Sequence, residues 1–193
     1  MLNTTEAMVD LINKKYRIPN HLSPKTRAEC KDWEFKGLWR SLTKEQQMEL
    51  FESSDFWDSV TIKEEFYNVI NSGILDKYDN VFVTKGSIYN LFKKKEFLYD
   101  NSDIKEAIKD FGYVGLAEGV DKASIDMTDG IQIDDNYGNL KNTKAKIKIL
   151  VKNYVESAVN NSYGLIETPD NLYNVNSLNE VLDILKFNLV EAL

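Results

Sequence analysis

The sequence predicts an α/β fold with a parallel sheet. Short apolar runs, which are typical of buried strands, alternate along the chain with segments of helical periodicity. The predicted strands are Val81 to Val83, Tyr113 to Ala117, Ile131 to Ile133 and Ile147 to Val151. Helices are predicted between the first and second of these strands, from Ser87 to about Tyr99 and from Asp103 to Phe111. Such alternation is typical of βαβ units, whose strands run parallel.

Helices are also predicted on either side of these strands. Apolar residues at helical spacing indicate a first helix from Thr4 to Tyr16. Thr43, Thr61 and Ser177 are each followed three residues later by Gln or Glu, which is the pattern of a capping box. We therefore expect further helices to begin at these three residues.

The composition is typical of a soluble globular protein, and 193 residues are enough for one domain with a substantial core. The chain has 24 basic and 31 acidic residues, which give a net charge of −7. An acidic chain is a poor general binder of nucleic acids or anionic membranes, because phosphate contacts need a basic surface. A small phosphorylated ligand stays compatible with this charge, since a local cationic patch or a metal can reverse the field.

The single cysteine and the single histidine exclude several kinds of site. With Cys30 alone, no disulfide can form within the chain, and a reducing setting is expected. A zinc site of the His/Cys kind is excluded, because only Cys30 and His21 could contribute to it. We expect His21 to lie on the surface and Cys30 to be buried or half-buried. No apolar stretch approaches the length of a membrane span, so we expect a cytoplasmic protein.

Two neighbouring carboxylates, Asp134 and Asp135, end the predicted strand from Ile131 to Ile133. In an open α/β sheet, ligands sit beyond the carboxyl ends of the strands. Carboxylate oxygens are also ligands that Mg²⁺ prefers in proteins. The pair therefore predicts a magnesium site, and the alternative is a solvated turn after the strand.

A hydroxyl and a glycine follow a second predicted strand. Thr84 comes directly after Val81 to Val83, and Lys85, Gly86 and Ser87 come behind it. Because the amino end of a helix favours anions, this turn predicts a phosphate-binding segment. The alternative is a strand-to-helix turn with Ser87 as the N-cap, and both interpretations can hold together.

Several segments together carry a resemblance to a known family. In chain order they are Val83-Thr84-Lys85-Gly86-Ser87, Lys93-Lys94-Lys95, Asp121-Lys122-Ala123-Ser124, Gly130-Ile131-Gln132-Ile133-Asp134-Asp135 and Asn171 to Ser177. On these segments the chain resembles the haloacid dehalogenase (HAD) superfamily, in particular its 5′(3′)-deoxyribonucleotidases of the cytosolic C type. The resemblance implies a Rossmann-like core with a parallel sheet and a helical cap.

The resemblance also implies roles in phosphoryl transfer for single residues. Thr84 would hold the phosphoryl group, and the turn behind it would bind substrate. Lys94 would stabilise the pentavalent state. Lys122 is a rival for this role, and the alternative for Lys122 is a surface position. Asp134 and Asp135 would hold Mg²⁺, and Asp135 would join Thr84 and Lys94 as a catalytic residue. A metal, a lysine and a hydroxyl supply much of this chemistry, which is mostly positioning and charge neutralisation.

Residues 1–60 are predicted to be a helical, cap-like region and residues 61–193 the core, as a single compact unit. Aromatic residues are concentrated in the first region, where they are typical of a packed interior. They include Trp33, Phe35, Trp39, Phe51, Phe56 and Trp57. If a nucleobase is bound, we expect Phe56 and Trp57 to contact it, because they lie where the cap rejoins the sheet.

The sequence departs from the pattern of this family at the catalytic strand. The resemblance implies a first, central strand that ends in Asp-x-Asp and carries the nucleophile and the acid/base. The segment from Leu2 to Met8 resembles the stretch directly after that motif, so we expect this strand and its aspartates to be missing. The strand would lie between those ending at Thr84 and Asp134. The flanking strands could close up, another segment could fill the gap, or a second copy could cover it, so we expect an oligomer or a rearranged sheet.

The expected function depends on this combination. A phosphate-handling scaffold without its nucleophile predicts a catalytically impaired pseudoenzyme that binds a nucleotide, another phosphorylated small molecule or a protein partner. The high content of Asn, Lys and Ile is typical of an AT-rich bacterial or phage genome, and a phage protein acting on a host factor would fit this class. The alternative is an active, Mg²⁺-dependent phosphatase of deoxynucleoside monophosphates.

Overall fold

A computed structural model describes residues 1–30, 35–152 and 171–191 of the chain. The chain forms two compact units, Met1–Lys63 and Glu64–Leu193. This division falls close to the expected boundary between residues 60 and 61.

The first unit is helical. It contains α1 (Thr4–Ile12), α2 (Lys44–Phe51) and α3 (Ser54–Ser59). The first predicted helix is confirmed. A π-helical turn follows α1, and a short 3₁₀ turn continues it as far as Asn20. The capping box at Thr43 is confirmed, because its hydroxyl accepts a hydrogen bond from the Gln46 amide at 3.2 Å. The helix expected from Thr61 is confirmed, but it begins at Glu64: Thr61 does not cap it, because its hydroxyl accepts from the Asn3 side chain at 2.9 Å.

The core of this unit is rich in aromatic side chains. Phe51 and Phe56 meet edge to face with ring centroids 5.2 Å apart, and Phe56 meets Trp57 at 5.3 Å. Cys30 is buried and His21 is exposed, as the sequence predicted. The contacts between aromatic rings exclude water from large apolar surfaces. This exclusion is the main stabilising contribution to a small helical unit.

The second unit is an α/β structure. Its strands are β1 (Val81–Lys85), β2 (Gly112–Leu116), β3 (Ile131–Asp134), β4 (Ile147–Val151) and β5 (Leu172–Val175). Its helices are α4 (Glu64–Asn71), α5 (Ile88–Glu96), α6 (Tyr137–Lys141) and α7 (Leu178–Glu191). The four predicted strands are confirmed, and the α/β class with them. The capping serine of α7 is confirmed as well, since Ser177 accepts from the Glu180 amide at 3.2 Å.

The helix predicted from Asp103 to Phe111 is wrong. This stretch is a series of turns in which several amides bond to the carbonyl three residues earlier, as Ala107 does to Ile104 at 2.9 Å. Ile104 and Ile108 are buried all the same. Apolar residues four positions apart therefore indicate which side chains enter the core. A series of turns can bury such residues as well as a helix does.

The strands form two parallel sheets. β1 pairs with β2, and β3, β4 and β5 form the second sheet with β4 in the centre. All five residues of β4 are buried, whereas Val81 of β1 is 36% exposed and Ile133 of β3 is 40% exposed. Among the described strands, β1 and β3 do not pair with each other, so the two strands expected to flank a gap have not closed up.

Candidate functional site

The first half of the candidate site lies at the carboxyl end of β1. Thr84 is buried there, and α5 begins just beyond it with Ser87 as its N-cap, whose hydroxyl accepts from the Asn90 amide at 3.3 Å. The helix then packs against β2, where the Tyr113 hydroxyl donates to the Leu91 carbonyl at 2.7 Å. This places Lys94 beside Thr84, and the Lys94 Nζ donates a hydrogen bond to the Thr84 Oγ1 at 2.5 Å.

Lys94 is in an unusual environment for a lysine. Its pKa is lowered to about 8, mainly because burial desolvates the ammonium and further because the charge of Lys122 repels it. The carboxyl of Asp135 acts in the opposite direction. These charges influence one another because the ends of β1 and β3 lie near each other in this unit, and the low-polarity surroundings screen them weakly.

The second half of the site lies at the carboxyl end of β3. Asp134 is buried, and its Oδ2 accepts from the Lys122 Nζ at 2.7 Å. Its Oδ1 accepts from the Asn136 amide at 2.9 Å and from the Asn139 side chain at 3.0 Å. The short turn Lys122–Ser124 holds the lysine in place, capped by Asp121, which accepts from the Ala123 amide. Asp134 therefore has a donor on each oxygen, including one cation.

Asp135 has a carboxyl pKa that is raised to about 6. The main cause is burial, and the next is repulsion by the charge of Asp134, whose side chain also shares a hydrogen bond with Asp135. Lys122 acts in the opposite direction. Two carboxyls that are this close do not ionise independently, so the pair holds a proton over a wider pH range than an isolated aspartate.

The structure brings together the main residues that the sequence predicted. Thr84 and Lys94 are in direct contact, and the acidic pair lies within electrostatic reach of Lys94. Lys122 is the residue whose importance the sequence understated, because it forms the direct ion pair with Asp134. The signal that could have ranked it higher is the segment Asp121-Lys122-Ala123-Ser124, whose capped turn fixes the lysine ahead of β3.

The turn behind Thr84 is largely occupied by structural hydrogen bonds. The Gly86 amide donates to the Leu116 carbonyl of β2 at 3.2 Å, and Ser87 acts as the helix cap. Lys85 is half-buried at the end of β1. The sequence allowed two interpretations of this segment, a phosphate-binding turn and a strand-to-helix turn. The contacts within the chain are those of the strand-to-helix turn.

The aromatic residues predicted to contact a base lie in the core of the first unit. Phe56 is 1% exposed and Trp57 is 8% exposed, so neither ring offers an open face for stacking. Trp33 lies outside the described residues. Phe56 and Trp57 are therefore core residues and do not belong to the candidate site.

The residues in this arrangement do not fit a resident metal ion. Mg²⁺ is usually bound by one or two carboxylates together with water and phosphate oxygens. The Asp134 oxygens already accept from Lys122, Asn136 and Asn139, so an ammonium group occupies a position that a metal would need. Within residues 1–30, 35–152 and 171–191, no group of three or more His, Cys, Asp or Glu side chains could hold a metal ion.

Comparison with known proteins gives no match to a protein family, a curated protein or a solved structure. In the described part of the chain, no helix is both long enough and apolar enough to cross a membrane.

Proposed function

We propose that the second unit binds the phosphate group of a small monoester at a corner formed by Thr84, Lys94 and Lys122. The observation that carries this proposal is the contact between Lys94 and Thr84. It places a desolvated ammonium against a hydroxyl, with no carboxylate in direct contact among the described residues. A phosphate supplies the negative charge and the acceptor oxygens that such a pair lacks.

The proposed ligand class is a nucleotide, with deoxynucleoside monophosphates as the first members to test. The resemblance to the HAD superfamily supports this class, and membership of that superfamily is part of the proposal. The proposed location is the cytoplasm, in bacteria or in a host cell if the chain is phage-encoded.

We propose binding without efficient turnover. Phosphoryl transfer needs a nucleophile in line with the leaving group. The carboxylates at the corner are poorly suited to this, because Asp134 is held by three nitrogen donors and Asp135 shares a hydrogen bond with Asp134. These contacts favour a pseudoenzyme that binds phosphate over an enzyme that hydrolyses the phosphate ester.

The alternative function is Mg²⁺-dependent hydrolysis of deoxynucleoside monophosphates. The pair Asp134 and Asp135 favours it, because a carboxyl with a raised pKa beside a second carboxyl is a common acid/base arrangement. It would require Lys122 to leave Asp134. Phosphate release that depends on Mg²⁺ and disappears in Asp134→Asn would support this alternative over binding alone.

Replacing Lys94 by methionine tests the proposed binding site. We expect the dissociation constant of a deoxynucleoside monophosphate to rise about 10- to 100-fold, because a charge-assisted hydrogen bond contributes roughly 1.5–3 kcal/mol. Isothermal titration calorimetry measures it. The matched control is Lys95→Met, since Lys95 is exposed on the same helix. Equal affinities of the two variants, both folded by circular dichroism, would contradict the proposal.

The affinity should also depend on pH through Lys94. In the folded protein without ligand, the pKa of this lysine is about 8. The ammonium is therefore charged below that pH and loses its proton above it. Because phosphate binds the charged form, we expect constant affinity just below about pH 8 and a progressive loss above it. The same titration repeated across the alkaline range measures this, and the loss should be absent in Lys94→Met.

A further inference from the structure

A cleft of about 370 Å³ lies within the first unit, and every described residue that lines it falls between positions 17 and 41. Its volume is in the range of small-molecule sites, which is about 300–1,000 Å³. One wall is the loop that follows the turns after α1, with Arg17, Leu22 and Lys25. The other wall is the segment from Lys36 to Ser41. The cleft is therefore built from two short segments of one compact unit.

Hydrogen bonds hold the two walls in place. The Asn13 side chain donates to the Lys25 carbonyl and accepts from the Lys25 amide, both at 2.8 Å, which ties the first wall to the segment directly after α1. In the second wall, the Leu38 and Trp39 amides donate to the Phe35 carbonyl at 2.9 and 3.0 Å. A cleft whose backbone is fixed in this way binds a ligand with little cost for ordering the protein.

The Arg17 side chain joins the two walls. Its Nε donates to the Ser23 carbonyl and its Nη1 donates to the Leu38 carbonyl, each at 2.8 Å. A guanidinium group has more N–H donors than these two bonds use, so the others can serve a further partner. Arg17 is half-buried, and no described carboxylate pairs with it. The carbonyls therefore orient the guanidinium group but leave its charge uncompensated.

Positive charge is concentrated around this cleft. Four of the described lining side chains are cationic, namely Arg17, Lys25, Lys36 and Arg40, and none is acidic. Lys25 is paired with Glu29 at 2.5 Å, whereas Arg40 is exposed and makes no hydrogen bond or ion pair within the described part of the chain. In a chain with a net charge of −7, such a cluster is a local exception. The two guanidinium groups match an oxyanion, to which arginine donates two parallel hydrogen bonds.

Apolar side chains line the same cleft. Leu22 is 44% exposed, although it is a large aliphatic residue. Trp39 is half-buried, and Tyr16 stacks on it with ring centroids 5.8 Å apart and an interplanar angle of 17°. The stack fixes the indole, so this ring need not be ordered when a ligand binds. An exposed leucine and a fixed indole beside guanidinium groups suit a ligand with an apolar body and an anionic head.

We propose that this cleft binds a small anion whose carboxylate or phosphate head is attached to an apolar ring system. The head would pair with Arg17 and Arg40, and the rings would contact Leu22 and Trp39. Such an anion supplies the negative charge that neither guanidinium group finds among the described residues. The cleft lies in the first unit, so the inference goes beyond the phosphate corner of the second unit and does not depend on it.

An NMR titration of the isotopically labelled full chain with 2-naphthoate, in a buffer without phosphate, tests this inference. We expect saturable shifts at the amides of Leu22, Gly37 and Ser41 and at the indole N–H of Trp39. 2-Naphthamide has the same rings without the charge, and it should bind at least about tenfold more weakly. 2-Naphthyl phosphate carries the other head group on the same rings, and the tighter of the two anions identifies the head that the cleft prefers.

A pair of variants tests the role of the guanidinium groups. Arg40→Gln should weaken binding of the tighter anion by about tenfold or more, because one charge-assisted contact is lost. Lys44→Gln is the matched control and should leave the affinity unchanged, since Lys44 is exposed as Arg40 is but does not line the cleft. Circular dichroism checks that both variants are folded.

Three results would overturn the inference. The first is that neither anion gives saturable shifts at the residues of the cleft. The second is that 2-naphthamide binds there as tightly as the tighter anion. The third is that folded Arg40→Gln and Lys44→Gln bind that anion with equal affinity.

Discussion

Replacing Lys122 by methionine is expected to destabilise the second unit by about 3–5 kcal/mol, because it leaves a buried carboxylate without its cation. The side chains of Lys122 and Asp134 are only 15% and 4% exposed, and their charged atoms are 2.7 Å apart. Water therefore cannot replace the lysine effectively. Urea unfolding followed by circular dichroism measures the change in the free energy of unfolding.

A second variant separates the ion pair from the packing of the lysine stem. In Lys122→Met/Asp134→Asn the unpaired charge is removed, so we expect most of the lost stability to return. Lys109→Met is the matched control, since Lys109 is exposed in the turns after α5, and it should change the stability by less than about 0.5 kcal/mol. A double variant as unstable as the single one would show that the charge is not the cause.

Replacing Leu150 by alanine is expected to lower the free energy of unfolding by about 2–5 kcal/mol. Leu150 is fully buried on β4 and packs with Leu140 and Leu172, against which Tyr137 also packs. It is the register partner of Asp134, so a cavity at this position lies directly beside the strand that carries the acidic pair. Chemical unfolding measures the loss of stability.

The matched control for this cavity is Ile133→Ala in the same sheet. Ile133 is 40% exposed, so its truncation removes little buried surface and should cost less than about 1 kcal/mol. If the two variants lost the same stability, β4 would not be the centre of the core.

Much of the second unit could be predicted from local patterns. The apolar runs at β1 and β4 are short, β-branched and bounded by polar residues, so a single strand is the simplest structure that buries them. Thr84 and Asp134 could be placed at one edge for the same reason, because parallel strands end together.

Other features depend on contacts that are distant in sequence. β5 was not predicted, since Tyr173 and Asn174 in its middle are exposed and its strand state comes from pairing with β4. The pairing of Lys122 with Asp134 depends on a capped turn ahead of β3, and neither residue alone indicates the partner of the other. The separation into two sheets is likewise a property of strand pairing rather than of any one segment.

The central claim is that Thr84, Lys94 and the pair of Lys122 and Asp134 form one anion-binding corner. An NMR titration of the isotopically labelled chain with a deoxynucleoside monophosphate tests it most directly. We predict saturable shifts concentrated at the amides of these residues and at the ammonium group of Lys94. Shifts that are absent, or that are confined to residues of Met1–Lys63, would contradict the claim.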